Sequence, residues 1–123
     1  KGEVLIEHGS AFSRECGRRI IDDLLARQGH FPDALITTSY VLLQGMFDAL
    51  LEHPSQRPPA RLATFGDTQL LDFLPLPVNA MGQQHKLIAE KALNLALAAI
   101  EEQCYEPGIH AIARTFKQRI PQA

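Results

Sequence analysis

The chain has 123 residues, of which 46% are hydrophobic and 21% charged, and its net charge at pH 7 is -2. This length and apolar content suit one domain with a substantial core, and the near-neutral charge excludes a segment that holds a nucleic-acid backbone by electrostatic attraction. The two cysteines lie far apart without a CxxC motif, and no apolar stretch has the length of a transmembrane helix. We therefore expect a cytoplasmic location and no contact with a membrane.

The first half of the chain alternates between predicted strands and helices. It begins with Lys rather than Met and runs directly into a predicted strand over residues 3–7, so we expect a piece of a longer protein. A helical pattern follows, with Ser10 or Ser13 placed to cap its start and Gly29 placed to end it. A strand over residues 34–37 then leads to a helix over residues 41–51 that is apolar nearly all round.

The second half continues the alternation. A loop with two prolines precedes a strand over residues 62–65, a short helical turn over residues 69–73 and a strand over residues 78–81. A long amphipathic helix over residues 83–102 and a last strand over residues 109–114 complete the order. Strands separated by helices pair in parallel through crossover connections. The predicted fold class is therefore α/β, a parallel sheet with helices on both faces.

Polar residues follow the strands at four junctions, residues 8–12, 37–39, 66–68 and 82–85. The carboxyl ends of parallel strands meet at one edge of a sheet, so these groups should converge there and hold a small polar ligand. Ser39, Asp67 and Gln83 can exchange hydrogen bonds with ligand hydroxyls, and Phe12 can lie against the apolar face of a sugar ring. Ser39 and Asp67 are also good N-cap residues, so capping of the next helix is the alternative interpretation of each.

Motifs for catalysis and metal binding are missing from the sequence. There is no G-x-S-x-G elbow, Walker loop or G-x-G-x-x-G, and the five histidines show no paired ligand spacing. We predict no catalytic residue, no metal and no cofactor, and hence not an enzyme. His85 stays a candidate for the ligand site because it lies next to the Gln83 junction. The apolar cluster over residues 70–74 fits either core packing or an oligomer contact.

Taken together, these segments resemble the LacI/GalR type of transcriptional repressor, most closely its fructose-repressor branch. The resemblance runs from about residue 12 to about residue 119. It rests on five motifs read together: Pro32-x-Ala34-Leu35-x-Thr37-Thr38-Ser39, Leu43-Gln44-Gly45, Ala63-Thr64-Phe65-Gly66-Asp67, Leu70-Leu71-Asp72-Phe73-Leu74 and Gln83-x-His85.

This resemblance implies a type I periplasmic-binding-protein-like fold of two lobes, with an effector in the cleft between them. Residues 1–82 would belong to the C-terminal lobe, residues 83–104 to a helix that crosses to the first lobe, and residues 105–123 to a return strand and tail. It also implies binding of operator DNA through an N-terminal helix-turn-helix that this chain lacks, and assembly into a homodimer or homotetramer. The rival class is a sugar-binding transport receptor of the same fold.

The resemblance also assigns roles to particular residues. Phe12 falls near the aromatic that stacks on the ligand, Ser39 falls where the family places Asn or Asp, and Gln83 takes a contact position at the crossover. Gly66 stands where most sugar-binding members have an aspartate, which favours an anionic ligand because like charges in a cleft repel. The implied effector is fructose 1-phosphate, with fructose 1,6-bisphosphate left open. The implied effector contacts are Phe12, Ser39, Gly66, Asp67, Gln83 and His85, and the implied dimer contacts are Leu70, Leu71, Phe73 and Leu74.

Overall fold

The structure is a computed structural model that describes residues 2–121. Its elements in chain order are α1 (Arg14–Gln28), β1 (Ala34–Thr37), α2 (Tyr40–Glu52), β2 (Arg61–Phe65), a 3-10 turn (Gln69–Phe73), β3 (Val78–Gly82), α3 (His85–Glu101) and β4 (Thr115–Lys117). The α/β class is confirmed, and most elements lie within two residues of their predicted bounds. None of the helices in this described range is long and apolar enough to cross a membrane.

Within residues 2–121 the sheet has four strands in the order β1-β2-β3-β4. The first three strands pair in parallel, as predicted, whereas β4 pairs with β3 in antiparallel fashion, with Gly82 opposite Thr115. The prediction of a parallel last strand over residues 109–114 is therefore wrong in both position and direction. Asn79 explains part of the difference, because its side-chain oxygen accepts the backbone N–H groups of Arg119 and Ile120 and holds the segment just after β4.

The predicted strand over residues 3–7 is also wrong, because residues 2–9 form neither helix nor strand. A strand needs a neighbour for its backbone hydrogen bonds, and the sheet gives this segment no place in its order. Val4 is 85% exposed and Ile6 is similarly open to solvent. The segment is held near α1 instead, where Glu7 accepts a 2.6 Å bond from Arg27.

Helix α1 begins and ends through local interactions that the sequence predicts. The Ser13 hydroxyl oxygen accepts the N–H of Cys16, and Gly29 takes a left-handed conformation (φ 77°) while its N–H donates to Leu25. Serine at the N-cap and glycine just past the last turn satisfy backbone groups that a helix leaves unpaired.

Helices α1 and α2 contact each other through backbone at two glycines. A Cβ atom on Gly17 would overlap the carbonyl oxygen of Leu42, and one on Gly45 would overlap that of Arg14. Arg14 also donates a 2.6 Å bond to Asp48, and this bond is the largest cause of the lowered pKa of that carboxyl group. Next along the helices, Arg18 donates a 2.6 Å bond to Glu52. Since the partners advance together along both helices, α1 and α2 run parallel.

The core lies between this helix pair and one face of the sheet. It contains Ile21, Phe31, Leu43, Met46, Ala49, Leu62, Leu71, Val78 and Ala80. Two buried hydroxyls lie across β1 and β2, where Thr37 donates to Thr64 at 2.8 Å and Thr64 donates to the carbonyl of Phe65 at 3.1 Å. Strand residues therefore alternate between this buried face and an outer one.

Within the described residues, helices cover one face of the sheet only. On the other face Ile36 is 71% exposed, and Phe65 and Phe116 are also open to solvent. Helix α3 buries none of its residues, although Leu93 and Ile100 are among its apolar side chains. The expectation of helices on both faces is thus met on the α1 and α2 side.

Candidate functional site

Three predicted site residues follow the three parallel strands at one edge of the sheet. Ser39 comes after β1, Gly66 after β2 and Gln83 after β3, and the paired register brings these strand ends side by side. A Cβ atom on Gly66 would lie 3.7 Å from the Cβ atom of Tyr40, the residue after Ser39. We call this region the carboxyl edge. Its geometry agrees with the predicted convergence, whereas the role of each residue as an effector contact stays a prediction.

Ser39 serves as the N-cap of α2. Its backbone is extended (φ -151°) and its hydroxyl oxygen accepts the N–H of Val41 at 3.3 Å. The capping alternative is therefore observed for this residue. A serine hydroxyl that accepts one bond still carries its own proton, so Ser39 can also donate to a ligand at the start of the helix.

Gly66 turns the chain at the end of β2. Its φ of 94° lies in the left-handed region, where other residues are strained, and its N–H donates to the carbonyl of Met81 at 2.9 Å. The backbone bond fixes the end of β2 against the end of β3. A glycine here leaves the carboxyl edge without a carboxylate at that position, which suits an anionic ligand.

The carboxylate of Asp67 points toward the C-terminal segment of the chain. Its Oδ1 atom accepts a 2.8 Å bond from Arg119, and its Cβ lies 3.1 Å from the position that a Cβ atom on Gly82 would take. The turn that follows is capped by Thr68 and not by Asp67. The capping alternative for Asp67 is therefore wrong, and one of its two carboxylate oxygens already has a partner within the chain.

Gln83, Gln84 and His85 connect β3 to α3. Gln83 and His85 are exposed, and His85 is the first residue of α3. Gln84 donates a 2.8 Å bond to the carbonyl of Ala113, which draws the approach to β4 toward the same edge. Both exposed side chains are therefore free to reach a ligand.

Phe12 lies two residues before α1 and is 73% exposed. Because α1 and α2 run parallel, its ring is near the end of the helix layer where α2 also begins. This is the end next to the carboxyl edge. The exposed ring is available to stack on a ligand, as the resemblance implies.

Arg114 is a cation at the carboxyl edge that the sequence reading did not include in the site. Its guanidinium carbon lies 5.7 Å from the centre of the Phe65 ring, and its Nη1 donates to the carbonyl of Met81 at 3.4 Å. Phe65 and Met81 are the residues at the ends of β2 and β3. The residue was placed in the predicted last strand, and nothing in its local sequence indicates which part of the sheet it meets.

The predicted dimer contacts divide between surface and core. Phe73 is 84% exposed and Leu70 is also exposed, whereas Leu71 is buried and Leu74 packs against the core. The prediction of Leu71 as an interface residue is therefore wrong, because its side chain faces inward. A groove of about 350 Å³ runs between this turn and α2, and its wall includes the exposed Leu51.

No group of three His, Cys, Asp or Glu side chains in residues 2–121 is arranged to hold a metal ion. Both cysteines in this range are free, Cys16 buried and Cys104 exposed. The carboxyl edge itself carries hydrogen-bonding side chains, an aromatic ring and a guanidinium group.

No family model matches the chain, whereas individual proteins do. The fructose operon regulatory protein of Vibrio cholerae is 48% identical over 112 residues, 91% of this chain and 34% of its own length. The catabolite repressor/activator of Escherichia coli K12 is 37% identical over 119 residues, 95% of this chain and 35% of its own length. The crystal structure of the Cra transcriptional dual regulator from Pseudomonas putida in complex with fructose 1-phosphate is 66% identical, with a TM-score of 0.83, over 90% of this chain and 41% of that one. The resemblance to the LacI type of transcription regulator is confirmed.

The same matches confirm the type I periplasmic-binding-protein-like fold, of which this chain is a part. The chain spans about a third of the length of the curated relatives it matches. Those relatives are transcription regulators, so the rival interpretation as a transport receptor is not favoured. None of these relatives is an enzyme.

Proposed function

We propose that this LacI-like segment forms part of the effector-binding region of a sugar-responsive transcription repressor, and that its effector is a fructose phosphate, fructose 1-phosphate in the first place. The observation that carries the proposal is the carboxyl edge, where Ser39, Gly66 and Gln83 lie side by side on a chain that is 66% identical to a regulator solved with fructose 1-phosphate. Fructose 1,6-bisphosphate is the alternative effector.

The charges at the carboxyl edge favour a phosphorylated sugar over a neutral one. Gly66 leaves the edge without a carboxylate at that position, and Arg114 places a guanidinium group beside the ends of β2 and β3. Guanidinium groups bind phosphate oxygens through two parallel hydrogen bonds. We assign the phosphate to the Arg114 side of the edge and the sugar hydroxyls to Ser39 and Gln83.

The proposal includes the domain division predicted from the sequence, with the same bounds. Residues 1–82 belong to the C-terminal lobe, residues 83–104 cross to the first lobe, and residues 105–123 return. The tail runs past residue 121, the last that the structure describes. The absence of any buried residue in α3 supports the crossing, because an amphipathic helix without a covered face is suited to pack on another lobe.

Release of the operator would follow from linkage between effector binding and operator binding. An effector that binds one arrangement of the lobes more tightly shifts the population toward it, and the operator, bound through a helix-turn-helix outside this chain, favours the other. Operator recognition in pseudo-palindromic sites needs two copies. We therefore propose a cytoplasmic homodimer or homotetramer, with Leu70, Phe73 and Leu51 on the contact surface.

The effector proposal is tested with a chimera, the Pseudomonas putida Cra protein with its matching segment replaced by this chain. Calorimetric titration should show binding of fructose 1-phosphate at least about tenfold tighter than binding of fructose, because one charge-assisted hydrogen bond contributes about 1.5 to 3 kcal/mol. Arg114→Gln should remove most of that preference. Arg57→Gln, in the exposed loop before β2, is the matched control. Equal affinity for both sugars, or for Arg114→Gln and the parent chimera, would overturn the assignment.

The dimer proposal is tested by sedimentation of the 123-residue chain. Phe73→Asp and Leu70→Asp should shift the distribution toward monomer, because a charge on an apolar contact surface loses its solvation on association. Val4→Asp, at an exposed position far from the turn in sequence, is the control. A chain that is monomeric at high concentration, with a distribution unchanged by Phe73→Asp and Leu70→Asp, contradicts the assignment of this surface.

A further inference from the structure

Arg119 joins its own segment to three other parts of the chain: the loop after β2, the 3-10 turn and β3. Its Nη2 atom donates to Asp67 at 2.8 Å, its Nε donates to Asp72 at 2.8 Å, and its Nη1 donates to the carbonyl of Val78 at 3.1 Å. Its own backbone N–H is held at 2.8 Å by the side chain of Asn79. The side chain is only 9% exposed, although it carries a full charge.

Each nitrogen of the guanidinium group donates to its own acceptor in this arrangement. A lysine ammonium is a single point that cannot meet three acceptors placed in this way. Burial opposes the charge of Arg119, but the two carboxylates outweigh burial and raise its pKa. The interaction is therefore a fixed three-way clamp and not an exposed ion pair.

The clamp acts on the loop at the carboxyl edge. Gly66 is held at one side by the bond of its N–H to Met81, and Asp67 is held at the other side by Arg119. After Asp67 the chain enters the 3-10 turn, where the carbonyl of Thr68 accepts the N–H of Leu71. Within this turn Asp72 accepts a hydrogen bond from the same guanidinium group. One side chain thus fixes both the edge loop and the turn that carries Phe73.

We propose that Arg119 is a positioning residue for the effector, which sets the edge loop over residues 66–68 for binding and couples it to the turn over residues 69–73. The inference rests on the proposed function, because it needs an effector at the carboxyl edge. Asp67 then acts through its bond to Arg119, and the backbone that precedes it meets the ligand. The turn carries the exposed residues of the proposed dimer surface, so the same clamp ties effector site and dimer surface together.

The chain offers a matched control in Lys117. Its ammonium nitrogen lies 3.4 Å from Asp72, on the same carboxylate oxygen that Arg119 contacts, but its side chain is half-exposed and has no bond to Asp67. Lys117→Gln and Arg119→Gln remove the same charge from the same cluster. Only the second one releases the edge loop.

The first measurement is titration of the chimera with fructose 1-phosphate. Arg119→Gln should weaken binding at least about tenfold, Lys117→Gln should change it less than about twofold, and Arg119→Lys should fall between them. Thermal unfolding of each variant shows whether the fold persists. Equal losses from Arg119→Gln and Lys117→Gln, or no loss from either, would overturn the inference while leaving the proposed function in place. If the parent chimera does not bind fructose 1-phosphate, the proposed function fails and the inference fails with it.

A double variant separates positioning from direct contact. If Asp67 acts only through Arg119, Asp67→Asn combined with Arg119→Gln should bind no more weakly than Arg119→Gln alone. If Asp67 itself holds the effector, the two losses should multiply, which would contradict the inference.

Amide hydrogen exchange on the 123-residue chain gives a readout without any effector. Exchange at Gly66 and Leu71 should become faster in Arg119→Gln and stay unchanged in Lys117→Gln.

Discussion

The two faces of the sheet differ in what the chain supplies to cover them. On the inner face, α1 and α2 bury Leu62, Val78 and Ala80 almost completely. On the outer face, Ile36 and Phe65 are exposed, and α3 stands apart without a buried residue. The inner face forms a core that α1 and α2 cover, whereas the outer face is apolar surface that the described residues leave open to solvent. Stability should therefore be concentrated on the inner face.

The largest expected effect is the difference between two substitutions, one on the inner face and one on α3. Leu43→Ala on α2 removes a fully buried side chain and should lower the free energy of unfolding by about 3 kcal/mol, from lost burial and a residual cavity. Leu93→Ala on α3, an exposed position with the same change in helix propensity, should cost less than about 0.5 kcal/mol. Urea unfolding measures both. Similar losses at the two positions would mean that α3 is as firmly packed as α2.

A smaller effect is expected where α1 meets α2. Gly45→Ala places a methyl group against the backbone of Arg14 and should force the helices apart, at a cost of about 2 kcal/mol. Gly2→Ala, where nothing lies within 4 Å of the added carbon, is the control. If Gly45→Ala unfolds at the same urea concentration as the parent, the helices do not meet at this glycine.

The comparison also shows which features the sequence could predict. Helix α1 could be placed because its signals are local: Ser13 caps it and Gly29 ends it, and both act within a few residues. The convergence of Ser39, Gly66 and Gln83 could also be predicted, because parallel strands bring their carboxyl ends to one edge whatever the details of packing.

Features that depend on distant partners could not be predicted in the same way. β4 is defined by its pairing with β3, about 35 residues earlier in the sequence, and its antiparallel direction leaves no local signal. Arg119 meets partners 47 and 52 residues away, so its role is invisible in any short window. Leu71 and Phe73 have the same apolar character, and only the packing of the turn shows that one faces the core and the other faces solvent.

The smallest expected effect is a pH dependence of the free energy of unfolding, which comes from Asp48 on α2. The hydrogen bond from Arg14 lowers the pKa of Asp48 below its ordinary value of 3.8, against the opposing effect of burial. A carboxyl group with a lower pKa in the folded state stabilises the fold above its unfolded pKa, and this contribution is lost as pH falls through the folded value. Arg14→Gln should therefore lose less stability than the parent between pH 5 and pH 2, as urea unfolding at each pH would show. An identical acid profile for Arg14→Gln and the parent would contradict this, and Arg57→Gln is the control.

We propose above that this chain supplies one wall of a fructose phosphate site, and such a site needs a second wall. The direct measurement is a side-by-side calorimetric titration of the isolated 123-residue chain and of the chimera with fructose 1-phosphate in the same buffer. In a site formed between two lobes, each wall provides about half of the polar contacts and closure excludes competing water. We expect the isolated chain to bind at least about a hundredfold more weakly than the chimera, from the loss of one or two charge-assisted hydrogen bonds. Equal affinities would contradict it, and would mean that the residues of the carboxyl edge act as helix caps and loop anchors and not as half of a cleft.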